Sequence, residues 1–170
     1  MKIIASTVIA AVTTLSLLAP AQEKSGAEPE FAKVPAKPSP QAIAARNNGI
    51  RVAWEQAINA AHQLAASQGY RRRDAHWGDA LRSEGFTIVP LQLFAGNDYY
   101  LVLGTDSGVK NVSVSAFDPG RRLIKSAPDR GENELVLRIR PEKSGKHYLR
   151  LHQTKPSEKP IHCALTYIYR

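Results

Sequence analysis

The chain has 170 residues, 43% of them hydrophobic and 22% charged, which excludes a disordered or fibrous chain and suits one domain with a real core, not two. Lysine and arginine outnumber aspartate and glutamate by 23 to 15, a net charge of +8, and such a surplus favours anionic partners without choosing among them. A single cysteine, Cys163, excludes an intramolecular disulfide, so packing must supply the stability.

Lys2 gives a positive start, residues 3–18 form an uncharged apolar run, and Ala19-Pro20-Ala21 offers small residues at the spacing of a signal-peptidase site. Residues 1–21 therefore read as a cleaved signal peptide, and the mature chain as secreted or periplasmic with no transmembrane segment. A run of about 16 residues is short of the roughly 20 that span a bilayer. Residues 22–40 carry Pro29, Pro35, Pro38 and Pro40 among Lys, Glu, Ala and Ser, the composition of an extended, flexible linker.

A helical segment is expected over residues 41–85. Ser39 offers an N-cap, Pro40 a first helical position and Gly69 a stop. Ile43, Ile50, Ala57 and Leu64 recur every seven residues, with Trp54, Ile58, Ala61 and Ala65 filling the same side. Asn47-Asn48-Gly49 interrupts the pattern, which is firmest from Ile50 onward. This apolar face, within residues 50–68, is a candidate surface for a protein partner. Arg71-Arg72-Arg73-Asp74 opens a second, shorter helix ending near Ser83, with Ala75, Trp77 and Leu81 as buried contacts. Its triple arginine reads as a solvated helix start or as an anion contact.

From Phe86 the apolar period changes to two. Val89, Leu91 and Leu93 alternate with polar positions, and Pro90 marks an edge strand or a bulge, because it cannot donate to a ladder. Gly96-Asn97-Asp98 joins this strand to the next, residues 99–105, as a hairpin turn. Further alternating runs occupy residues 110–117, 134–140, 146–153 and 161–169, with a short one at Leu123-Ile124. That makes about seven short strands after a helix: an α+β chain whose second half is an antiparallel β-sandwich of jelly-roll or Greek-key type.

Leu93-Phe94-Ala95-Gly96, the run 99–104, the strand Val112-Ser113-Val114-Ser115-Ala116-Phe117 closed by Asp118-Pro119-Gly120, and Gly145-Lys146-His147-Tyr148-Leu149-Arg150-Leu151 follow in an order that resembles the bacterial pre-peptidase C-terminal (PPC) β-sandwich module. The resemblance covers residues 86–170. It implies a non-catalytic appendage of a secreted protein that serves binding, solubility or secretion. Two residues separate Gly145 from Tyr148 where the family has one, and the Asp-Pro-Gly turn is the shorter form. Relatives place several aspartates before that turn, whereas this chain has Asp106, then Gly108, Asn111 and Ser113, so the resemblance does not carry a calcium site over.

No catalytic constellation is visible, and no cofactor is implied. The five histidines lack metal-ligand spacing: His147 and His152 are an odd number apart on one strand and face opposite ways. Asp106 and Asp118 are too few for a calcium site. Cys163 points with Ile161 and Leu165 and reads as a small buried hydrophobe. The most suggestive surface is basic. If residues 134–140 and 146–153 pair across the 141–145 turn, then Arg138, Arg140 and Arg150 share one face with Tyr148 and His152, a set able to hold carboxylates, sulfates or phosphates. The expected partner is an anionic polysaccharide or envelope component; nucleic acid fits an exported chain poorly.

Overall fold

The helix begins and ends where its capping residues stand. In the computed structural model, which describes residues 39–73, 76–81, 83, 85–156 and 159–170, α1 runs Pro40–Gln68. The signal-peptide reading and residues 22–38 of the linker lie outside the described residues. Ser39 Oγ accepts a hydrogen bond from the Ala42 N–H at 3.2 Å, and Gly69 takes the left-handed conformation, φ 69°, donating its N–H to the Ala65 carbonyl. Those contacts satisfy backbone groups that a helix end otherwise leaves orphaned.

Among the described residues ten strands follow: β1 (Arg71–Arg72), β2 (Trp77–Ala80), β3 (Thr87–Leu93), β4 (Tyr99–Thr105), β5 (Val112–Phe117), β6 (Leu123–Ile124), β7 (Asp129–Arg130), β8 (Glu134–Ile139), β9 (Gly145–Gln153) and β10 (His162–Tyr169). The seven expected strands are among them, within one or two residues of their expected limits. The second helix is not. Residues 71–72 and 77–80 are strands, pairing antiparallel with the two ends of β10, because β10 is long enough to offer a ladder there. A four-residue strand with Gly78 in it carries too little alternation to be told from a helix by pattern.

Two antiparallel sheets result. One has β1-β10-β4-β8-β7 in order with β2 also on β10; the other is β3-β9-β5-β6. β3 is an edge strand, as Pro90 requires, and the Pro90 carbonyl accepts from His76 Nε2 at 2.9 Å. Between the sheets lie Leu91, Leu93, Leu149 and Leu151 from one side and Leu101, Leu103, Leu135 and Leu165 from the other, all in one buried cluster that includes Cys163.

The outer face of the six-stranded sheet is covered by α1, which packs on β4 and β10. Val102 and Ile168 are buried there with Ala61 and Tyr70, flanked by Leu64 and Tyr100. That third layer explains why seven of the eight β10 residues are buried: the strand has apolar matter on both faces. The helix contacts the sheet through Gly49, Ala53, Ala57 and Ala61, four residues apart and small. Gly49 does not break the helix. A Cβ there would run into the His162 ring, 2.6 Å from its Cγ, and stand 2.8 Å from Asp106 Oδ2. His162 and Asp106 hold each other beneath it, with His162 Nδ1 2.6 Å from Asp106 Oδ2 and the His162 N–H donating to Oδ1. Ile50 and Trp54 lie over Gly78 of β2. The face expected to meet a partner helix is thus turned onto the chain's own strands at Trp54, Ala57 and Ala61.

Candidate functional site

The five basic-face residues do not stand together. β8 pairs with β4 and β9 lies between β3 and β5, so the two strands belong to different sheets and are not a hairpin. Alternation fixes which side chains face the core but not which strand lies alongside. Both strands point leucines inward, yet the 141–145 segment carries the chain across the sandwich. The 94–98 segment likewise crosses between sheets instead of closing a hairpin, and the two crossings meet where the Ala95 N–H donates to Ser144 Oγ at 2.9 Å. Arg138 and Arg140 consequently sit on one outer face, and Tyr148, Arg150 and His152 on the opposite one.

Arg138 and Arg140 converge on Asp98, a residue that reads in sequence only as turn chemistry. The residue is 7% exposed, and its carboxylate accepts from Arg138 Nε at 2.9 Å and NH2 at 2.5 Å, Arg140 NH2 at 3.1 Å and the Tyr70 hydroxyl at 2.8 Å. Its backbone exchanges both hydrogen bonds with Arg170. The Arg138 bonds, helped by Arg140 and Tyr70, hold the Asp98 carboxyl well below the usual carboxylate range. Burial first, and then the neighbouring Asp98 carboxylate, push the Tyr70 phenol up to about 12. Arg170 lies 4.6 Å above the Tyr70 ring, and Arg138 5.4 Å above Tyr100. The Asp98 acceptor capacity is spent on its own chain, which makes this cluster an anchor for the start of β4. Tyr70 is 28 residues before Asp98 and Arg138 is 40 after it, so no local signal announces it.

The second group occupies the outer face of β3-β9-β5-β6. Pro90 pairs with Tyr148, Tyr148 with Phe117 and Phe117 with Leu123, giving a row across all four strands, about 14 Å long at the usual strand spacing. In the next row Ile88 and Ser115 flank Arg150, and beyond it Ser113 stands opposite His152. The Arg150 guanidinium lies 5.3 Å from the Phe117 ring centre and 6.0 Å from that of Phe86. Phe86 is 56% exposed, Leu123 58% and Ile88 43%. No carboxylate occupies an outward position on these four strands, while Lys146 and Arg150 do. The exposed ring and aliphatic side chains could not be assigned to one surface without the register.

Asp106 is engaged by His162 and Asp118 by Arg122, at different places in the fold. Cys163 is fully buried, and burial pushes its thiol up, which leaves it unreactive. No protein-family model matches the chain, and no curated protein matches it in sequence.

Proposed function

We propose that the chain is an exported, non-catalytic binding module of PPC type that holds an acidic polysaccharide on the outer face of β3-β9-β5-β6. The observation that carries this reading is the Arg150 guanidinium lying within 6.0 Å of the Phe86 ring and 5.3 Å of the Phe117 ring on a sheet face whose strands turn no carboxylate outward. Exposed apolar side chains clustered on one surface mark contact sites. Ring faces such as Tyr148 and Phe117 suit the C–H faces of sugar rings, and a planar guanidinium between them suits carboxylate or sulfate substituents. Export is supported by the charged start, apolar run and small-residue site in residues 1–21.

Retention of the mature protein on an immobilised polyuronate, compared with a neutral glucan, tests the reading. Binding should weaken with salt, as screened charges require, and should fall severalfold in Arg150→Ala and Tyr148→Ala while Lys125→Ala, away from the Arg150 face, leaves it unchanged. Equal retention by the Arg150 and Tyr148 variants, or none by the wild type at low salt, refutes it. The alternative is an assembly subunit that buries the same face against another protein, favoured by the exposure of Ile88 and Leu123. In that case Ile88→Ser with Leu123→Ser changes the sedimentation of the assembled particle and leaves polyuronate retention absent throughout.

A further inference from the structure

A groove of about 680 Å³ runs between the β6 segment and the end of β8, lined by Arg122, Lys125, Arg138, Arg140 and Lys143. We infer that it is a binding site for a phosphorylated anion, with cations of its own, bordering the sheet face above at Leu123. Two of its guanidiniums are fixed from behind. Arg122 gives Nε to Asp118 Oδ2 at 2.8 Å and NH2 to the same oxygen at 2.7 Å, and Arg138 gives Nε and NH2 to Asp98. Each carboxylate thus takes the same edge of its arginine and leaves NH1 outside the contact. Asp118 is itself held, accepting the Arg122 backbone N–H at 2.8 Å. Donors immobilised in this way lose little freedom when a ligand arrives.

Lys125 and Lys143 complete the lining, and among the described residues neither has an ion-pair partner. Buried Ile139, Pro141 and His147 also line the groove. Glu142 is the second acid of the lining beside Asp118, and cations outnumber carboxylates even when Asp98 is counted. A lone carboxylate would neutralise one charge and meet one guanidinium edge. A phosphoryl group brings close to two charges and three oxygens that accept from several directions, which matches a lining that takes Arg122 and Lys125 from either side of β6 and Arg138, Arg140 and Lys143 from the end of β8 and the segment after it.

The arginines also hold the fold, so the test removes the lysines. Calorimetric titration of the wild type with pyrophosphate should show saturable binding, tighter than for inorganic phosphate or sulfate. Lys125→Ala with Lys143→Ala should weaken it about tenfold without altering polyuronate retention, and Arg150→Ala should do the reverse. Co-sedimentation with phosphatidylcholine vesicles, with and without phosphatidic acid, separates the sources. Lysine-dependent binding to phosphatidic acid vesicles identifies a lipid headgroup as the source, and binding of pyrophosphate alone identifies a soluble ligand. The inference is overturned if neither probe binds saturably, if the lysine variant binds equally well, or if sulfate competes on equal terms with pyrophosphate.

Discussion

Asp98 shows how much one side chain can organise when the fold delivers partners to it from far along the chain. It accepts four hydrogen bonds from Tyr70, Arg138 and Arg140, so Asp98→Asn keeps the shape and removes the charge those donors need. Because the arginines reach solvent, the loss is discounted from that of a fully buried pair to about 2 kcal/mol. Urea denaturation measures it, and a change under about 0.5 kcal/mol would reduce Asp98 to a surface residue. The same group shapes the acid limb of stability. Its folded pKa is depressed, so its contribution is present above the ordinary carboxylate value of about 4 and is lost as pH falls through the folded value. The Asn variant should flatten that limb. At the alkaline end the sign reverses. Tyr70 is raised from 10.0 to about 12, so its contribution is whole below pH 10 and disappears between pH 10 and about 12, where the unfolded chain ionises first. Tyr70→Phe should therefore lose less stability than the wild type across that interval. Identical curves for the two proteins would detach Tyr70 from the effect.

At the scale of elements, the contact between α1 and its sheet depends on two glycines, one in the helix and one in a strand, that both run against local propensity. A Cβ on Gly104 of β4 would stand 2.5 Å from the Ala57 nitrogen and closer still to the Ala53 carbonyl oxygen. Both are helix backbone, so the whole helix must lift. Gly104→Ala should cost more than about 2 kcal/mol by overpacking, and faster hydrogen exchange at the α1 amides would locate the damage. Gly49 lies inside the helix, where alanine ordinarily gains about 1 kcal/mol. Here Gly49→Ala should destabilise instead, since the new methyl meets the hydrogen-bonded His162 and Asp106; a gain in melting temperature would refute the close approach. These glycines also mark the limit of what the sequence tells. Ser39, Pro40 and Gly69 are local signals, and they locate α1 without any knowledge of the sheet. Gly49 reads as an interruption, because its benefit lies in two residues more than fifty positions away. The apolar heptad names Ala57 together with Ile50 and Leu64, and Ala61 falls on the same side, but the contact stripe proper begins with Gly49 and Ala53, residues too small for a hydropathy pattern to rank.

For the molecule as a whole, alternation made the inward face of each long strand legible, while pairing stayed hidden. Leu135, Leu137 and Ile139 point to the core whether β8 lies beside β9 or β4, and the crossing at 141–145 has the polar composition of a hairpin. The assignment of Arg138 and Arg150 to one face failed on that ambiguity alone. The third layer was hidden for a related reason: Val102, Ala164 and Ile168 occupy positions on β4 and β10 that alternation leaves for solvent, and only the docked helix gives them a dry environment. That docking makes α1 part of the fold's cooperative unit. Lifting it would expose Val102 and Ile168, each about 1.5–3 kcal/mol of apolar burial, open the His162 and Asp106 pair and free Tyr70 from Asp98. Losses of that size approach the whole stability of a domain this long, so the helix should not melt ahead of the sheets. Far-ultraviolet circular dichroism reports α1; in a Trp77→Phe variant, which removes the second tryptophan from the sandwich, fluorescence reports Trp54 over β2; and near-ultraviolet signals, to which the packed Tyr99, Tyr167 and Tyr169 contribute, report the sandwich. In urea the three should trace one superimposable transition. An earlier transition confined to the helical and tryptophan signals would show instead that the sandwich stands without its helix, and would return the α1 face to the surfaces open to a partner.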